Sequence, residues 1–537
     1  MDAASGDAAL LPTPVDYYTT EFDVGLLYSG QRLHLDGSLA YSDFNNRDNL
    51  LRWQNPYSAF GPRVSYPEGE GGLGTAPDNT QSSARLSGQY LISTTTRIQF
   101  DGSYFVTGQD QSFEDYSINP QLLVSEPLPR DNFDGEVATS TFNAKLLMRP
   151  LAKLGLEATY KLRDRDYDTP RDGYRYIRGD GGDQPRSALT VYNTAHDYLS
   201  QAAGLELNYR LPLHSKLSLE YQYESIERKN ASVEETEEDR YTLGYRIRPW
   251  SNFSAKLELS YADRAADTYH WDQAYYALLD TELINATPDS QRYLNHPQMS
   301  QFYLSNRERT EGKIDLNYMP DPFWNLNLNW LLRDDDFDKS DLGLTSSRGQ
   351  GLYFNVGYTA LTDFSLNFYA GYDNYNSDQG SRAFRGGQEK NAFEVVAPLP
   401  QASDPDRNWD MESNDTSVTL GANIAWQFSR ELELSLDYSF VDTNSEQDFT
   451  TFGTSGLNAD DLPDVETRLH HIQASGIWQL REALSIQLDY QYYRYSSDDW
   501  AWQDVQADTL GKVLTFGERN PNEQIHYVGT SVIYRWK

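Results

Sequence analysis

Apolar and polar residues alternate strictly along this chain in paired stretches, and each pair is joined by a short polar turn. The clearest pairs are LELNYRLPLHSKLSLEYQY (205–223), YRIRPWSNFSAKLELSY (245–261), IDLNYMPDPFWNLNLNW (314–330) and NIAWQFSRELELSLDY (423–438). Successive side chains of a strand point to opposite faces. Leu217, Leu219, Tyr221 and Tyr223 therefore share one wall, and Ser218, Glu220, Gln222 and Glu224 the other. A greasy wall backed by a hydrophilic one, hairpin after hairpin, predicts a cylinder with lipid outside and water or protein inside.

Counting such segments along the sequence gives about nineteen strands, within the range of outer-membrane barrels. The first pair is Phe22-Val24-Leu26-Tyr28 and Leu33-Leu35-Leu39-Tyr41, and the last strand carries Val528, Thr530, Val532, Tyr534 and Trp536. Short turns alternate with long polar connections, expected over 45–80, 107–135, 164–195, 263–308, 373–412, 441–467 and 496–522. Long extracellular loops and short periplasmic turns produce this alternation. Tyr41, Tyr104, Tyr160 and Tyr261 near the long-loop ends, and Tyr90, Tyr209, Tyr318 and Tyr358 near the turns, predict two aromatic belts at the membrane interfaces.

Composition supports this picture. Aromatics make up 13% of the chain, with 39 tyrosines, yet the mean hydropathy is only −0.70. No window approaches the roughly 20 apolar residues of a spanning helix, whereas a barrel strand needs only about 9–11 residues, half of them apolar. The formal charge of −35, from 80 acidic and 45 basic residues, argues against a nucleic-acid partner. There is no cysteine, so disulfides, thiolate metal sites and the Cys-x-x-Cys-His attachment of c-type haem are excluded within the chain.

The opening MDAASGDAALLPTP has neither the basic start nor the apolar core of a signal peptide. Export to the outer membrane requires one, so the signal is expected upstream. The first and last strands both descend from the long-loop side and the count is odd, whereas bacterial barrels are almost always even. The expectation is thus a chain lacking preceding strands. Residues 1–14 read as the remnant of an extracellular loop or a disordered N-terminus, and 15–537 as the barrel.

On the inner wall the alternation places Glu157, Lys161, Glu206, Glu220, Glu224, Arg246, Lys256, Glu258, Lys313, Asp315, Asn325, Asn327, Asn329, Glu433, Asp437, Gln487 and Asp489. Turning a Lys or Arg among them to the lipid midplane costs roughly 2–4 kcal/mol, so the register is firmly set. Such a wall suits either water in an open channel or a protein within the lumen.

The segment PVDYYTTEFDVGLLYSGQRLHLDGSLAYSDFNN (14–46), followed by NPYSAFG (55–61), resembles the MtrB/PioB family of outer-membrane proteins. The likeness continues through Asp- and Tyr-rich strand exits such as YKLRDRDYDT (160–169) and LDYQYYRYSSDDW (488–500). The resemblance implies a large antiparallel transmembrane barrel of about 26 strands, of which this chain would hold the C-terminal majority. It also implies a role: a sheath that embeds and insulates a periplasmic multihaem c-type cytochrome in its lumen, some members docking a second, extracellular one. Haem would be carried by the partner and no cofactor by this chain. The resemblance further implies a preceding N-terminal part, with a Cys-x-x-Cys in some members, that this sequence is expected to lack.

A transport barrel, either a general porin or a receptor-type barrel without a cytochrome, is the main alternative. A soluble β-repeat adhesin is disfavoured by the Leu and Tyr walls. Catalysis has little support: His34, His196, His214, His270, His296, His470, His471 and His526 are scattered over strands, turns and loops. His470 and His471 adjoin on a strand, where neighbouring side chains diverge. The run Asp334-Asp335-Asp336-Phe337-Asp338 matches a calcium loop in charge alone and reads as a solvated loop.

Overall fold

The computed structural model describes residues 8–9, 13–54, 70–116, 127–175, 190–293, 295–337, 340, 342–361, 363–383, 393–394, 399–451, 461–503, 513–514 and 522–535. Segment 55–61, Asp338, Thr362, Trp536 and most of the first fourteen residues lie outside that set.

Nineteen antiparallel strands form one continuous wall. They are β1 (Tyr17–Ser29), β2 (Leu33–Asn46), β3 (Asn79–Ser93), β4 (Thr96–Gln109), β5 (Gly135–Leu151), β6 (Leu154–Tyr167) and β7 (Tyr198–Leu211). Next come β8 (Ser215–Arg228), β9 (Glu235–Trp250), β10 (Phe253–Ala266), β11 (Arg307–Tyr318), β12 (Trp324–Asp336) and β13 (Gly343–Leu361). The wall ends with β14 (Phe364–Arg382), β15 (Asn408–Gln427), β16 (Leu432–Thr451), β17 (Leu462–Arg481), β18 (Leu484–Asp498) and β19 (Glu523–Tyr534). Each strand pairs with its neighbours in sequence, the up-and-down order of a barrel. Neither β1 nor β19 has a second partner strand among the described residues. An odd strand count makes these two run in the same direction. Nearly every residue of both is exposed on both faces.

The register keeps the alternation in step across the wall. Leu219 stands opposite Leu207 on one side and Leu243 on the other, and Leu243 opposite Leu259. These residues are exposed, Leu219 by 53% and Leu26 by 82%, so the apolar rows lie on the outside of the sheet. Rows of this kind in a soluble sandwich would be covered by a second sheet. Tyr90, Tyr209 and Tyr318 at the turn side, and Tyr41, Tyr104 and Tyr261 toward the loops, share the same outer face and are likewise exposed.

Two expectations about the connections need correction. Segments 373–412 and 441–467 are not loops throughout, because strand continues through Arg382 and Thr451 and resumes at Asn408 and Leu462. Strands β13 to β17 are 19 or 20 residues long, against 12 to 17 for the others. Once a strand rises above the hydrocarbon both faces meet water, so the greasy period vanishes while the ladder hydrogen bonds continue. Two outer connections, 229–234 and 337–342, are also short. Each tucks an apolar side chain, Val233, or Phe337 with Leu342, almost wholly out of solvent.

The expected loop 263–308 is instead a folded cap. It holds two short helices, α1 (Gln273–Leu278) and α2 (Thr281–Ala286). The Asp280 carboxylate caps α2 by accepting from the Glu282 N–H at 2.7 Å. Among the described residues most buried apolar side chains collect here: Ile284 and Leu304 of the cap, Val233, Phe337 and Leu342 of neighbouring connections, and Ala402 at 0% exposure, with only Ala202 and Ala262 on the wall itself.

Candidate functional site: the polar inner wall and its cap

Strand register places all seventeen sequence-predicted inner residues on one continuous face. Glu157, Glu206 and Glu220 form one row across β6, β7 and β8. Arg246, Lys256, Asp315 and Asn329 form another across β9 to β12. Lys161 and Glu224 stand opposite Ala202 from its two sides, and Glu258 opposite Lys313. Asn325 and Asn327 extend the face on β12. Glu433, Asp437, Gln487 and Asp489 carry it through β16 and β18.

This face has two chemical halves. On β5 to β11 charges alternate in pairs: Lys145 with Glu157, Lys256 with Glu258 at 2.6 Å, and Lys313 with Glu311 at 2.8 Å. On β11 to β18 amides dominate. The Asn317 amide donates to Asn325 at 2.7 Å and to Asn327 at 2.5 Å, Asn329 donates to Asp315 at 2.5 Å, and Asn423 to Asp437 at 2.9 Å. The Gln487 amide donates to Asp489 at 2.8 Å. On the same half the Tyr369 ring lies where a side chain at Gly421 would project. A Cβ there would displace the ring, which packs flat along the wall.

Toward the loop ends the charged half becomes a buried network. The Asp335 carboxylate accepts from Arg309 at 2.5 and 2.9 Å, and Arg307 and Arg333 each come within 3.9 Å. Arg307 also donates to Glu238 at 2.5 Å, and Arg240 donates to Glu238 at 3.0 Å. Asp335 is 4% exposed, so residues 334–336 are not the solvated loop expected; Asp338 lies outside the described residues. Its first three residues are the end of β12, which sends Asp335 inward while Asp334 meets Arg348 on the other face.

The cap packs against the loop ends beside that network. The guanidinium of Arg264, on the inner face, donates to the Phe302 carbonyl at 2.6 Å and the Ser305 carbonyl at 2.8 Å. On one side the Ala277 carbonyl of α1 accepts from Arg171 at 2.9 Å. There Gln273 and Tyr276 join Thr107 and Val137 of β4 and β5 in lining a cavity of about 800 Å³. On the other side His296 Nε2 lies 2.8 Å from the Ala402 carbonyl, which also accepts from Arg382 at 3.0 Å. One connection, between β10 and β11, thus reaches from β4 to the end of β14. Sequence reasoning missed it. The Asp280 cap signal and the short apolar period of YYALLDTELINA were the available clues.

The two strand histidines diverge as expected. His470 accepts or donates a bond with the Tyr438 hydroxyl at 3.1 Å and packs on Phe440, on the outer face. His471 meets the Tyr493 ring, on the inner face. Among the described residues no group of three His, Asp or Glu side chains has metal-binding geometry.

Comparison with known proteins adds three findings. The family described as outer membrane beta-barrel porin, MtrB/PioB, matches residues 3–536. Outer membrane protein MtrB of Shewanella baltica is 23% identical over 536 residues, covering 98% of this chain and 68% of that protein. Among solved structures, the FrpB iron transporter of Neisseria meningitidis (F3-3 variant) aligns with a TM-score of 0.54 at 10% identity, over 97% of this chain and 72% of that one. BauA, the ferric preacinetobactin receptor of Acinetobacter baumannii, aligns with a TM-score of 0.50 at 11% identity, over 96% and 72%. At such identities these two show a shared large-barrel fold and nothing more.

Proposed function

The chain belongs to the MtrB/PioB family of outer-membrane β-barrels, and from that premise we propose that it sheathes a multihaem c-type cytochrome that carries electrons across the outer membrane. The wall supplies no redox centre of its own, in keeping with a sequence without cysteine. Its work is physical: it keeps lipid off the partner and holds it at a set depth. The observation that carries this reading is a continuous polar inner face whose side chains are fixed in specific ion pairs and amide hydrogen bonds. An open pore needs only a hydrophilic wall, whereas this wall offers fixed donors and acceptors to a protein surface. The haem belongs to the partner, and no residue here is assigned a catalytic role.

The test is affinity purification of the tagged barrel from its native outer membrane, followed by haem staining and by ion conductance in a planar bilayer. A haem-bearing chain retained in fixed ratio supports the sheath. A haem-free barrel that conducts ions freely points to a transport barrel and rejects it.

A further inference from the structure

Whereas the chain as a whole is strongly acidic, one part of its turn-side mouth is basic. Arg97, Arg149, Lys153, Arg210 and Lys216 line a single concavity of about 430 Å³ across β4 to β8. Its one carboxylate, Glu157, is already engaged by Lys145, and Lys216 lies 3.9 Å from Glu206. Among the described residues Arg97, Arg149, Lys153 and Arg210 form no ion pair. On the same wall Lys256 and Lys313 are each paired on the spot with a carboxylate. Four neighbouring unpaired cations repel one another, so folding alone gives no reason to gather them.

Their positions are fixed by backbone. The Arg149 N–H donates to the Thr95 carbonyl at 2.9 Å, and the Arg210 N–H to the Lys153 carbonyl at 2.9 Å, which ties three adjacent turns together. Arg97 and Arg210 project from the polar face, so the concavity opens to the lumen and not to lipid. The turns from β11 to β18 carry Asp321, Asp363, Glu431 and Glu482 beside Arg430, Arg481 and Arg535, whose N–H donates to the Ala483 carbonyl at 2.9 Å. There acids and arginines nearly balance, whereas the concavity gathers five cations around one carboxylate.

We propose that this basic concavity is the docking point for a carboxylate-rich surface of the lumenal partner, which it orients as the partner enters from the turn side. The inference rests on the sheath reading for the partner's presence, and on the concavity itself for the chemistry. Guanidinium forks take carboxylates in a bidentate manner, and a basic cluster confined to one sector of the mouth favours one rotation of an incoming dipolar protein.

The test uses the full chain with its native membrane partner and a triple variant, Arg149→Gln, Lys153→Gln and Arg210→Gln, all exposed and at or beside the turns. Heat-modifiable migration on gels confirms that the variant barrel is folded. Poly-L-glutamate is the soluble probe, titrated with increasing salt, and inorganic phosphate is the control anion. We expect polyglutamate to bind the wild type at low salt and to lose at least tenfold in affinity in the variant, with a shallower salt dependence. Haem retention during purification should fall in parallel. Equal polyglutamate binding by both proteins overturns the proposal, as does binding of phosphate alone. If haem is absent from the wild type while polyglutamate binding still depends on these residues, the sheath reading fails and the carboxylate-binding site stands.

Discussion

Asp335 and Arg309 face each other directly across β12 and β11, and the carboxylate accepts two hydrogen bonds from the one guanidinium, at 2.5 and 2.9 Å. This bidentate pair sits at the centre of the network under the cap. Asp335→Leu removes the counter-charge for Arg309 and for the two arginines 3.9 Å away. Stranding buried charge costs about 3–5 kcal/mol. Urea unfolding of the barrel in lipid vesicles should show a loss of that order, and a loss below about 1 kcal/mol would show that the network is not structural.

Adjacent residues on β9 separate the two faces. Leu243 lies in the outer apolar row between Leu219 and Leu259, while Thr242 lies in the inner row between Glu220 and Ser260. Leu243→Arg should destabilise the barrel by roughly 2–4 kcal/mol, the cost of a midplane arginine facing lipid. Thr242→Arg gains a carboxylate neighbour and should cost far less. Equal losses in vesicle unfolding would contradict the assignment of faces.

The far attachment of the cap should loosen in acid. His296 Nδ1 accepts from the Gln298 N–H at 3.2 Å, so Nε2 carries the proton and donates to the Ala402 carbonyl at 2.8 Å. Burial pushes this imidazole below its ordinary value; the Ala402 bond opposes that shift and the nearby Arg382 guanidinium adds to it. The fold thus favours the neutral ring. Its stabilising contribution is complete above the unfolded value of about 6.5 and is lost as pH falls through the lowered folded value. Limited proteolysis within 295–305 should accelerate as pH drops from neutrality into that range, and should lose this pH dependence in His296→Gln. A cap equally protected throughout would refute the argument.

Near the middle of the cap, Arg264 holds two carbonyls of the segment, those of Phe302 and Ser305. Arg264→Met leaves the strand intact and frees both. Cleavage within 299–305 should rise by about tenfold or more, the equivalent of two ordinary hydrogen bonds, while the strands stay resistant. Unchanged cleavage would mean that the buried side chains alone hold the cap.

These tests fall unevenly on what the sequence disclosed. The wall was legible because hydrocarbon enforces its period: Leu217, Leu219 and Tyr221 could not trade faces with Ser218 and Glu220 without large cost. Above the membrane that constraint ends. Asp373, Asn374 and Asn376 therefore looked like loop although they continue β14. Asp335 looked solvated because its partners, Arg307 and Arg309, precede it on another strand, and charge runs carry no record of pairing. The basic concavity was equally hidden. Its residues come from three separate turns that only the register brings together.

The central claim, that the wall conducts nothing itself but houses a partner that does, is tested most directly in liposomes loaded with reduced methyl viologen. The purified complex, reconstituted with all its partners, should bleach the enclosed dye when a soluble ferric chelate is added outside. Barrel stripped of haem should leave the dye reduced over the same period. Rapid bleaching by the stripped barrel, or none by the haem-loaded complex, would contradict the account.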